Sequence, residues 1–308
     1  MNEIHSCGIL GKRRNHMEFR VLKYFLVTAQ EGNMTRAAEV LMTTQSNLSK
    51  QLTALEDSLG KQLFLREGRR LVLTEEGMYL RKRAKEIIEL AERTESEIMG
   101  YEDEVSGVVH IGAAETRVMY KLAGSMIKAR EQYPEITFDI LSGSTAEVSE
   151  MVDKGLLDFA LMVSPIDTGK YDYLELPYKE KTGLLMRRDH PLAEKKVIRP
   201  EDIKNEPVLT AHQQLDGNTL AGWLGRDMHS LNIVSTFNLI TNPSMMVEAG
   251  LGSAFTLEDL VRTDESSVLC FRPLSPAVEA GFYLYWKKYQ IFTRAAEAFL
   301  KVMQEDMI

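Results

Sequence analysis

The chain has 308 residues, of which 44% are hydrophobic and 27% charged, a composition that excludes disordered and fibrous proteins and a length that allows two or three domains. Its two cysteines, Cys7 and Cys270, lie at opposite ends, which excludes a disulfide framework or cysteine zinc cluster and favours the reducing cytoplasm. The net charge of −8 hides an asymmetry, because residues 12–85 carry 15 Lys and Arg against 8 Asp and Glu, or +7, and the remainder carries −15. A basic module joined to an acidic body is typical of a phosphate-binding domain attached to a separately soluble one.

Residues 1–16 precede the first periodic pattern. They lack the apolar stretch of a signal peptide, and no apolar run elsewhere reaches the ~18 residues of a membrane helix. We therefore expect a cytoplasmic protein with no membrane partner. The segment is interpreted as a disordered extension or as the product of a start codon placed too early. A basic arm that follows DNA is the alternative.

Three helices are predicted between residues 17 and 60. Apolar residues recur at three- and four-residue spacings from Phe19 to Ala29, and Gly32 supplies a stop. A short second helix covers residues 35–41. Thr44 is a good N-cap for a third helix that ends at Gly60. The apolar stripe of this third helix consists of Leu48, Leu52, Leu55 and Leu59.

The third helix begins with short polar side chains on the side opposite its apolar stripe. A short helix, a tight turn and a longer helix with a polar start are typical of a helix-turn-helix, whose second helix enters the major groove of DNA. Gln and Asn can each bond an adenine edge in two places, and Lys reaches guanine or phosphate. DNA binding is therefore predicted for Thr35, Arg36, Thr44, Gln45, Ser46, Asn47, Ser49, Lys50 and Thr53. The alternative is a three-helix bundle whose solvated face is polar.

Two short strands, residues 61–66 and 71–73, flank a turn that contains Gly68. This pattern predicts a winged hairpin after the third helix. Its arginines are placed to contact phosphates or the minor groove, and they are Arg66, Arg69 and Arg70.

A long helix is predicted over residues 75–99, with Thr74 as its N-cap and Glu75 and Glu76 in the first turn, where the helix dipole favours them. Apolar and small residues recur along it at steps of four and three, as in a coiled coil. We expect this seam to pair two chains, in a dimer or a tetramer. The predicted seam consists of Leu80, Ala84, Ile87, Ala91, Thr94 and Ile98.

Residues 17–98 resemble the DNA-binding signature of the LysR-type transcriptional regulators. The segments that carry the resemblance are Thr35-Arg-Ala-Ala38, Thr44-Gln-Ser46, Leu48-Ser-Lys-Gln-Leu52, Leu63-Phe-Leu-Arg66 and Leu73-Thr-Glu-Glu-Gly77. Where the family usually has Pro then Ala, this chain has Ser46 and Asn47, which add polar groups where bases are read. The resemblance implies a winged helix-turn-helix domain over 17–74, a linker and dimerisation helix over 75–99, and double-stranded operator DNA as the partner.

After a polar connection over residues 99–106, strands and helices alternate. The first set has strands at 108–113, 136–141 and 157–163 and helices at 118–132 and 146–154. This βαβαβ order predicts a mostly parallel sheet. A second set follows, with strands near 182–186, 208–210, 234–239, 253–256, 268–271 and 282–286 and helices at 219–229, from 244 and at 292–303.

Two α/β lobes of this size predict a hinged pair with a cleft, as in periplasmic binding proteins. The LysR resemblance extends more weakly over this part of the chain, through Tyr133-Pro134, Gly155-Leu-Leu-Asp158, His190-Pro-Leu192 and Ala249-Gly-Leu-Gly252. It implies the same fold class: an α/β effector-binding domain over 107–308, preceded by the mainly α winged helix-turn-helix domain and the linker helix. Lobe I is expected at 107–179 and 268–308, and lobe II at 180–267.

Ligands in such sheets bind beyond the carboxyl ends of strands, where helix N-termini offer backbone amides. A small-molecule effector, such as a carboxylate, is therefore expected between the lobes. The predicted effector-binding residues are Thr116, Ser144, Thr145, Ser164, Asn218 and Asn242. The resemblance implies that Thr116 and Thr145 match hydroxyls used by the family's aromatic-acid responders. The alternative is that these hydroxyls only cap helices, and Glu115 would repel an anion unless it is paired.

The sequence holds no recognisable catalytic or cofactor motif. The histidines of the body lack ligand spacing, and nucleophile-elbow, dinucleotide and P-loop patterns are missing. Neither an enzyme activity nor a metal or cofactor is expected, and a lone Cys270 in the body does not support the two-cysteine peroxide switch of one branch of the family. The sequence predicts a ligand-responsive transcription factor. The alternative is a cytosolic solute-binding or hydrolytic α/β protein whose N-terminal helices only dimerise it.

Overall fold

The computed structural model describes residues 17–68, 70–99, 105–163, 167–215 and 217–306. The predictions for residues 1–16, Arg69 and Ser164 therefore lie outside the described residues. The chain divides into two compact units, residues 1–98 and 99–308. Within the described ranges, no helix is both long and apolar enough to cross a membrane.

The N-terminal unit contains three helices, an antiparallel hairpin and a long fourth helix. Their bounds are α1 Phe19–Glu31, α2 Met34–Val40, α3 Gln45–Leu59, β1 Phe64–Glu67, β2 Arg70–Leu73 and α4 Glu75–Met99. The hairpin β1–β2 is the wing, and it pairs Phe64 with Leu73 and Glu67 with Arg70. The elements and their order agree with the sequence prediction.

Local signals place the ends of these helices. α1 and α3 each end at a glycine in the left-handed region, Gly32 with φ 58° and Gly60 with φ 64°, where a side chain would be strained. Asn33 caps α2 by accepting bonds from the backbone N–H groups of its first turn. Thr44 caps α3 in the same way, as the sequence predicts.

One core holds the N-terminal unit together, and α4 is part of it. Leu22, Phe25 and Leu48 are fully buried between the first three helices and the wing, and Leu80 and Ala84 of α4 belong to the same cluster. The approach is close at Gly77, where a Cβ atom would lie 2.2 Å from the backbone oxygen of Leu63. The first turns of α4 therefore complete this core, and the boundary at residue 74 stays a prediction.

The C-terminal unit alternates strands and helices along its length. Its strands are β3 Gly107–Ala113, β4 Ile136–Ser142, β5 Phe159–Val163, β6 Tyr171–Arg187, β7 Pro207–Ala211, β8 Asn232–Phe237, β9 Ser253–Leu257, β10 Leu269–Pro273 and β11 Glu279–Lys287. Its helices are α5 Met119–Gln132, α6 Thr145–Asp153, α7 His212–Leu215, α8 Asn218–Leu224, α9 Thr241–Glu248 and α10 Arg294–Asp306. Single 3-10 turns lie at Pro191–Glu194, Pro200–Ile203 and Met228–Ser230.

The strands form two half-sheets that share β6. In the first, the order is β4-β3-β5-β11-β6, with β3 parallel to both β4 and β5, and with β11 antiparallel to its neighbours. In the second, β7 runs parallel to β8 and β9, and β6 runs antiparallel to β9 and β10. The predicted parallel centre is present in each half, and antiparallel strands join the halves.

The chain passes between the halves twice. β6 pairs with β11 as far as Lys181 and with β9 from Thr182 onward, so the first crossing lies inside this strand. The second crossing, back to the first half, was expected near residue 268. This is wrong, because β10 pairs with Gly183–Arg187 in the second half. The chain returns between Pro273 and Glu279. Lobe I therefore comprises residues 105–181 and 279–306, and lobe II comprises residues 182–273.

Each lobe has its own core. In lobe I, the fully buried rings of Phe159, Phe282 and Phe299 lie between the sheet and α5 and α10. In lobe II, Leu184 and Phe255 pack with buried residues of α8. Because each core is separate, the lobes are connected by the crossing strands and by polar contacts between facing loops.

Candidate functional site

α3 presents one polar face to solvent. Its apolar stripe is buried, with Leu48 and Leu55 fully enclosed, and this fixes which side of the helix faces outward. The exposed residues of this polar face are Gln45, Ser46, Asn47, Lys50 and Thr53, and Ser49 at its border is half-buried. Six of the residues predicted to bind DNA therefore lie together on one helix face.

Hydrogen bonds position the start of α3. The Thr44 hydroxyl oxygen accepts a bond of 3.2 Å from the backbone N–H of Asn47. The side-chain amide of Asn47 donates to the Thr43 hydroxyl at 3.0 Å. The Thr44 hydroxyl thus acts as a helix cap, and the Asn47 side chain is oriented before any partner binds.

The turn between α2 and α3 holds an apolar residue that the sequence pattern assigned only to the turn. Met42 has φ 49° and a side chain that is 96% exposed. An apolar side chain beside a helix that enters the major groove can contact thymine methyl groups. The sequence feature that could have identified Met42 is a large apolar side chain at a turn position that favours Gly or Asn.

On α2, Thr35 and Arg36 are exposed at the first turn. Their backbone N–H groups both donate to the side chain of Asn33, which caps the helix. The guanidinium of Arg36 lies 3.8 Å from the carboxylate of Glu31. This exposed pair contributes little stability, so the Arg36 side chain can turn toward a phosphate at small cost.

The wing is attached to α3 through Glu56. Its carboxylate oxygen accepts bonds from the backbone N–H groups of Leu63 at 2.7 Å and Phe64 at 3.1 Å. Arg66 and Arg70, on opposite strands of the wing, are both exposed. No sequence pattern indicated this role of Glu56, because its partners are seven and eight residues away. It sets the position of the wing relative to the polar face.

Part of the apolar stripe of α4 is covered by its own chain and is not available to a second chain. Leu80 is 8% exposed and Ala84 is fully buried in the core of the N-terminal unit. The prediction that these two residues line a dimer seam is therefore wrong, because their own chain already covers them. Ile87 is 38% and Ile98 78% exposed. Of the remaining seam residues, Ala91 is half-buried and Thr94 is exposed.

In the C-terminal unit, the loop after β3 is held by several polar contacts, and those of Thr116 and Arg117 with Glu180 lie within lobe I. Thr116 is buried, and its hydroxyl donates a 2.7 Å bond to the carboxylate of Glu180 on β6 while accepting from the backbone N–H of Val118. The same oxygen of Glu180 accepts from the backbone N–H of Arg117 at 2.9 Å. The Thr116 hydroxyl therefore already has a carboxylate partner.

Glu180 is partly desolvated. Its second carboxylate oxygen, Oε2, is buried and has no hydrogen-bond partner among the described residues. Burial raises the pKa of Glu180 above its usual value, while the bonds from Thr116 and the backbone act in the opposite direction. No sequence pattern indicated this role, because Glu180 falls in a stretch of alternating charges on β6.

The two predicted residues at the start of α6 behave differently. The Ser144 hydroxyl and backbone N–H both bond the Glu147 carboxylate, which completes a capping box. These bonds lower the pKa of Glu147. The helix-cap alternative therefore describes Ser144. Thr145 donates instead to the side-chain oxygen of Gln213 at 2.8 Å, and this bond joins lobe I to lobe II.

Glu115 also crosses between the lobes. Its carboxylate accepts bonds from the backbone N–H of Ile240 at 2.5 Å and from the Thr241 hydroxyl at 2.8 Å, at the start of α9. Asn218 and Asn242, in the first turns of α8 and α9, are exposed. Lobe II thus supplies the partners of Glu115 that the sequence left open. The Glu115 carboxylate lies at the start of a helix, where an anionic effector was expected.

Metal-ligating side chains and the cysteine of the C-terminal unit can be compared with the sequence predictions over the described residues. Among the described residues, His, Cys, Asp and Glu side chains form no group of three that could hold a metal ion. Cys270 is buried beside β6 as a free thiol, and burial raises its pKa. This favours the unreactive thiol over the thiolate at neutral pH.

Comparison with known families identifies both units. A model described as "Bacterial regulatory helix-turn-helix protein, lysR family" matches residues 19–78, and one described as "LysR substrate binding domain" matches residues 102–308. The chain belongs to the LysR family of transcriptional regulators. It is a DNA-binding regulator with an effector-binding domain, not an enzyme. The alternative of a solute-binding or hydrolytic protein is wrong, since the helix-turn-helix model covers the helices assigned there to dimerisation alone.

Curated relatives of this LysR regulator are also transcriptional regulators. It is 29% identical to the Hca operon transcriptional activator HcaR of Escherichia coli, over 94% of this chain and 98% of HcaR. It is 30% identical to a probable RuBisCO transcriptional regulator of Synechocystis, over 83% of this chain and 76% of that protein.

Solved structures of the same family share the fold. The structure of full-length CbnR complexed with its target DNA has a TM-score of 0.70 at 20% identity and covers 94% of this chain and 100% of that one. Full-length BenM has a TM-score of 0.51 at 20% identity, over 94% of this chain and 96% of that one. These neighbours confirm the predicted fold class.

Proposed function

We propose that this LysR regulator reads its operator with the polar face of α3 and holds the DNA backbone with the wing. The observation that carries the proposal is that Gln45, Asn47 and Lys50 are exposed together on the first turns of α3. Amide side chains discriminate bases in the major groove. Arginines at exposed hairpin positions, here Arg66 and Arg70, contact phosphate or the minor groove.

The regulator works as a dimer or tetramer, paired through the second half of α4. This is supported by Ile87 and Ile98, apolar residues of α4 that their own chain leaves exposed. Two helix-turn-helix domains bind half-sites about one DNA turn apart only when they are paired. The pairing contact runs over residues 87–98, since Leu80 and Ala84 belong to the core of the N-terminal unit.

A small polar effector binds between lobe I and lobe II and changes DNA binding. This is supported by Thr145, Asn218 and Asn242, which lie in the first turns of α6, α8 and α9, where backbone N–H groups favour polar and anionic groups. An effector acts only through its different affinity for two arrangements of the protein. Its effect on operator affinity should be modest, because such coupling is typically ~1–3 kcal/mol.

The experiment that tests this function measures binding of the full-length chain to DNA. Fluorescence anisotropy compares intergenic DNA next to its own gene with random DNA of equal length, over a series of salt concentrations. We expect binding to the intergenic DNA to be at least about 10³-fold tighter. Equal affinity for every fragment would contradict the proposed reading role of α3.

A further inference from the structure

Met42 occupies a turn position at which the end of a helix usually has glycine. Its backbone N–H donates to the carbonyl oxygen of Glu39 at 3.1 Å, and the N–H of Thr43 donates to that of Ala38 at 2.9 Å. This pair of bonds is the Schellman arrangement, in which the first of the two donor residues has a left-handed backbone. Met42 accordingly has φ 49°, where a residue with a side chain is strained.

The end of α3 has the same arrangement without this strain. Gly60 and Lys61 donate the two corresponding bonds, and Gly60 has φ 64°. Glycine adopts a left-handed backbone at no steric cost, because it lacks a Cβ atom. Glycine would therefore suit the backbone at the end of α2 better than Met42 does.

Packing against the described part of the chain compensates little for the strain at Met42. The side chain is 96% exposed, so folding removes almost none of its apolar surface from water. Both the backbone and the exposure of this residue are therefore unfavourable for the folded chain alone. Such a position is typical of a residue that acts on a partner.

The position of Met42 in the chain indicates DNA as that partner. The next residue, Thr43, accepts the 3.0 Å bond from the side-chain amide of Asn47, on the polar face of α3. Thr44 then caps α3. When the first turn of a reading helix enters the major groove, the turn before it comes close to the same base pairs. Met42 thus lies beside the residues proposed to read bases.

We propose that Met42 reads thymine, through contact of its side chain with the C5-methyl group of one thymine in each half-site. Among the edges of the four bases in the major groove, only that of thymine carries a methyl group, and apolar side chains recognise it. The inference rests on the proposed reading role of α3, and it adds an apolar contact to the polar contacts of Gln45, Asn47 and Lys50. DNA binding then buries the side chain that folding leaves exposed.

Replacement of thymine by uracil tests this contact, because uracil lacks the methyl group and keeps the same hydrogen-bonding groups. The half-site is first selected from a random-sequence library with the full-length wild-type chain. Each thymine of one half-site is then replaced by uracil in turn, and affinity is measured by fluorescence anisotropy. At one position we expect the wild type to bind about three- to fivefold more weakly, the change expected for one buried methyl group.

Two variants of Met42 separate the side chain from the turn. Met42→Gly removes the side chain and keeps the left-handed turn, so it should bind the thymine and uracil DNAs equally at that position. Met42→Leu keeps an apolar side chain and should keep the preference for thymine. The matched control is Met78→Ala, at a methionine of α4 that is 57% exposed, which should show the wild-type loss with uracil.

Thermal unfolding followed by circular dichroism shows whether Met42 instead stabilises the turn. Met42→Gly should unfold at the wild-type temperature or above it, because glycine relieves the backbone strain. A lower unfolding temperature would assign Met42 to packing within the chain and would overturn the proposal.

The binding data distinguish a failure of this inference from a failure of the proposed function. If the wild type selects a half-site and Met42→Gly is as sensitive to uracil as the wild type at every thymine, Met42 does not read thymine and the reading role of α3 stands. A selected half-site at which uracil never weakens wild-type binding has the same meaning. If the wild type selects no half-site, the reading role of α3 is contradicted, and the role of Met42 with it.

Discussion

Glu56 and Leu63 are joined by a 2.7 Å hydrogen bond from the backbone N–H of Leu63 to the Glu56 carboxylate. The same carboxylate oxygen accepts from Phe64, the first residue of the wing. Leu63 is buried, so its N–H depends on this acceptor rather than on water. One side chain of α3 therefore fixes the start of the wing.

Replacement of this side chain should loosen the wing. Glu56→Ala leaves two backbone donors without their acceptor, and we expect the free energy of local opening to fall by about 1.5–3 kcal/mol. Native-state hydrogen exchange over residues 61–73 measures this opening apart from the rest of the chain. Glu39→Ala, at an exposed position of α2, is the control. Equal exchange in the two variants would show that Glu56 does not hold the wing.

Base-reading and phosphate-binding residues should differ in their effects on affinity. Asn47→Ala should lose ~1–3 kcal/mol on the operator and little on random DNA, because a base contact is made only at the correct site. Arg70→Ala should weaken binding to both and reduce the salt slope by about one unit. Anisotropy titrations on the two DNAs measure both. A uniform loss for Asn47→Ala would remove it from the reading residues.

Local signals made the N-terminal unit predictable. Gly32, Asn33, Thr44 and Gly60 each act within a few residues, through left-handed backbone or side-chain caps, and the structure uses all of them at helix ends. The seam on α4 was only partly predictable. The same spacing of apolar residues serves a core within one chain and a contact between chains, and only the packing of Leu80 shows which applies to it.

In the C-terminal unit, the sequence patterns missed the beginnings of two elements, β6 and α9. β6 spans 17 residues, but only its last part was predicted, because Pro177 lies within it. The pairing with β11 is irregular at this point, between Gly281 and Phe282, and proline is tolerated in strands at such bulges. Likewise α9 begins before Pro243, since proline is compatible with a first helical turn.

The contacts of the cleft could not be predicted in the same way. The sequence indicated that Glu115 would repel an anion unless it is paired, but its donors are about 125 residues further along the chain. The contacts of Thr116 with Glu180 and of Thr145 with Gln213 also join residues far apart in the chain, with separations of 64 and 68 residues. Such pairs depend on the fold of a whole lobe or of both lobes, which no local pattern encodes.

Apolar positions of α4 should separate into two classes. Ile98→Lys should prevent self-association while the N-terminal unit stays folded, because a charge in an intermolecular apolar contact is costly. Leu80→Lys should instead unfold that unit, since the side chain is buried in its core. Sedimentation velocity and helix content by circular dichroism measure the two effects. Glu89→Gln is the control, with the same change in charge at an exposed position.

If Ile98→Lys sediments like the wild type, pairing does not involve the end of α4. Ile87→Lys then tests the earlier part of the same stretch, where the side chain is 38% exposed. Assembly that survives both changes would contradict pairing through residues 87–98.

The pH dependence of stability should reflect Glu180. Burial raises its pKa, so the folded chain keeps this proton over a range where the unfolded chain has lost it. The contribution of Glu180 to stability is therefore fully present below the usual pKa of a glutamate and is lost as the pH rises through the raised value. Glu180→Gln removes this dependence.

We expect the unfolding free energy of Glu180→Gln to increase relative to that of the wild type as the pH rises from 4.5 to neutral. Urea unfolding followed by the fluorescence of Trp223 and Trp286 measures it. Glu175→Gln, an exposed position on the same strand, controls for the loss of a charge. Parallel pH profiles for Glu180→Gln and the wild type would show that Glu180 is not desolvated in solution.

The reading role of α3 is tested most directly by selection of DNA from a random-sequence library with the full-length chain. We expect enrichment of an inverted repeat whose half-sites lie about one helical turn apart. A triple variant with Gln45, Asn47 and Lys50 each changed to alanine should enrich no such repeat, whereas Glu131→Ala should enrich the same one. Enrichment of the same repeat by the triple variant, or of none by the wild type, would contradict the reading role of α3.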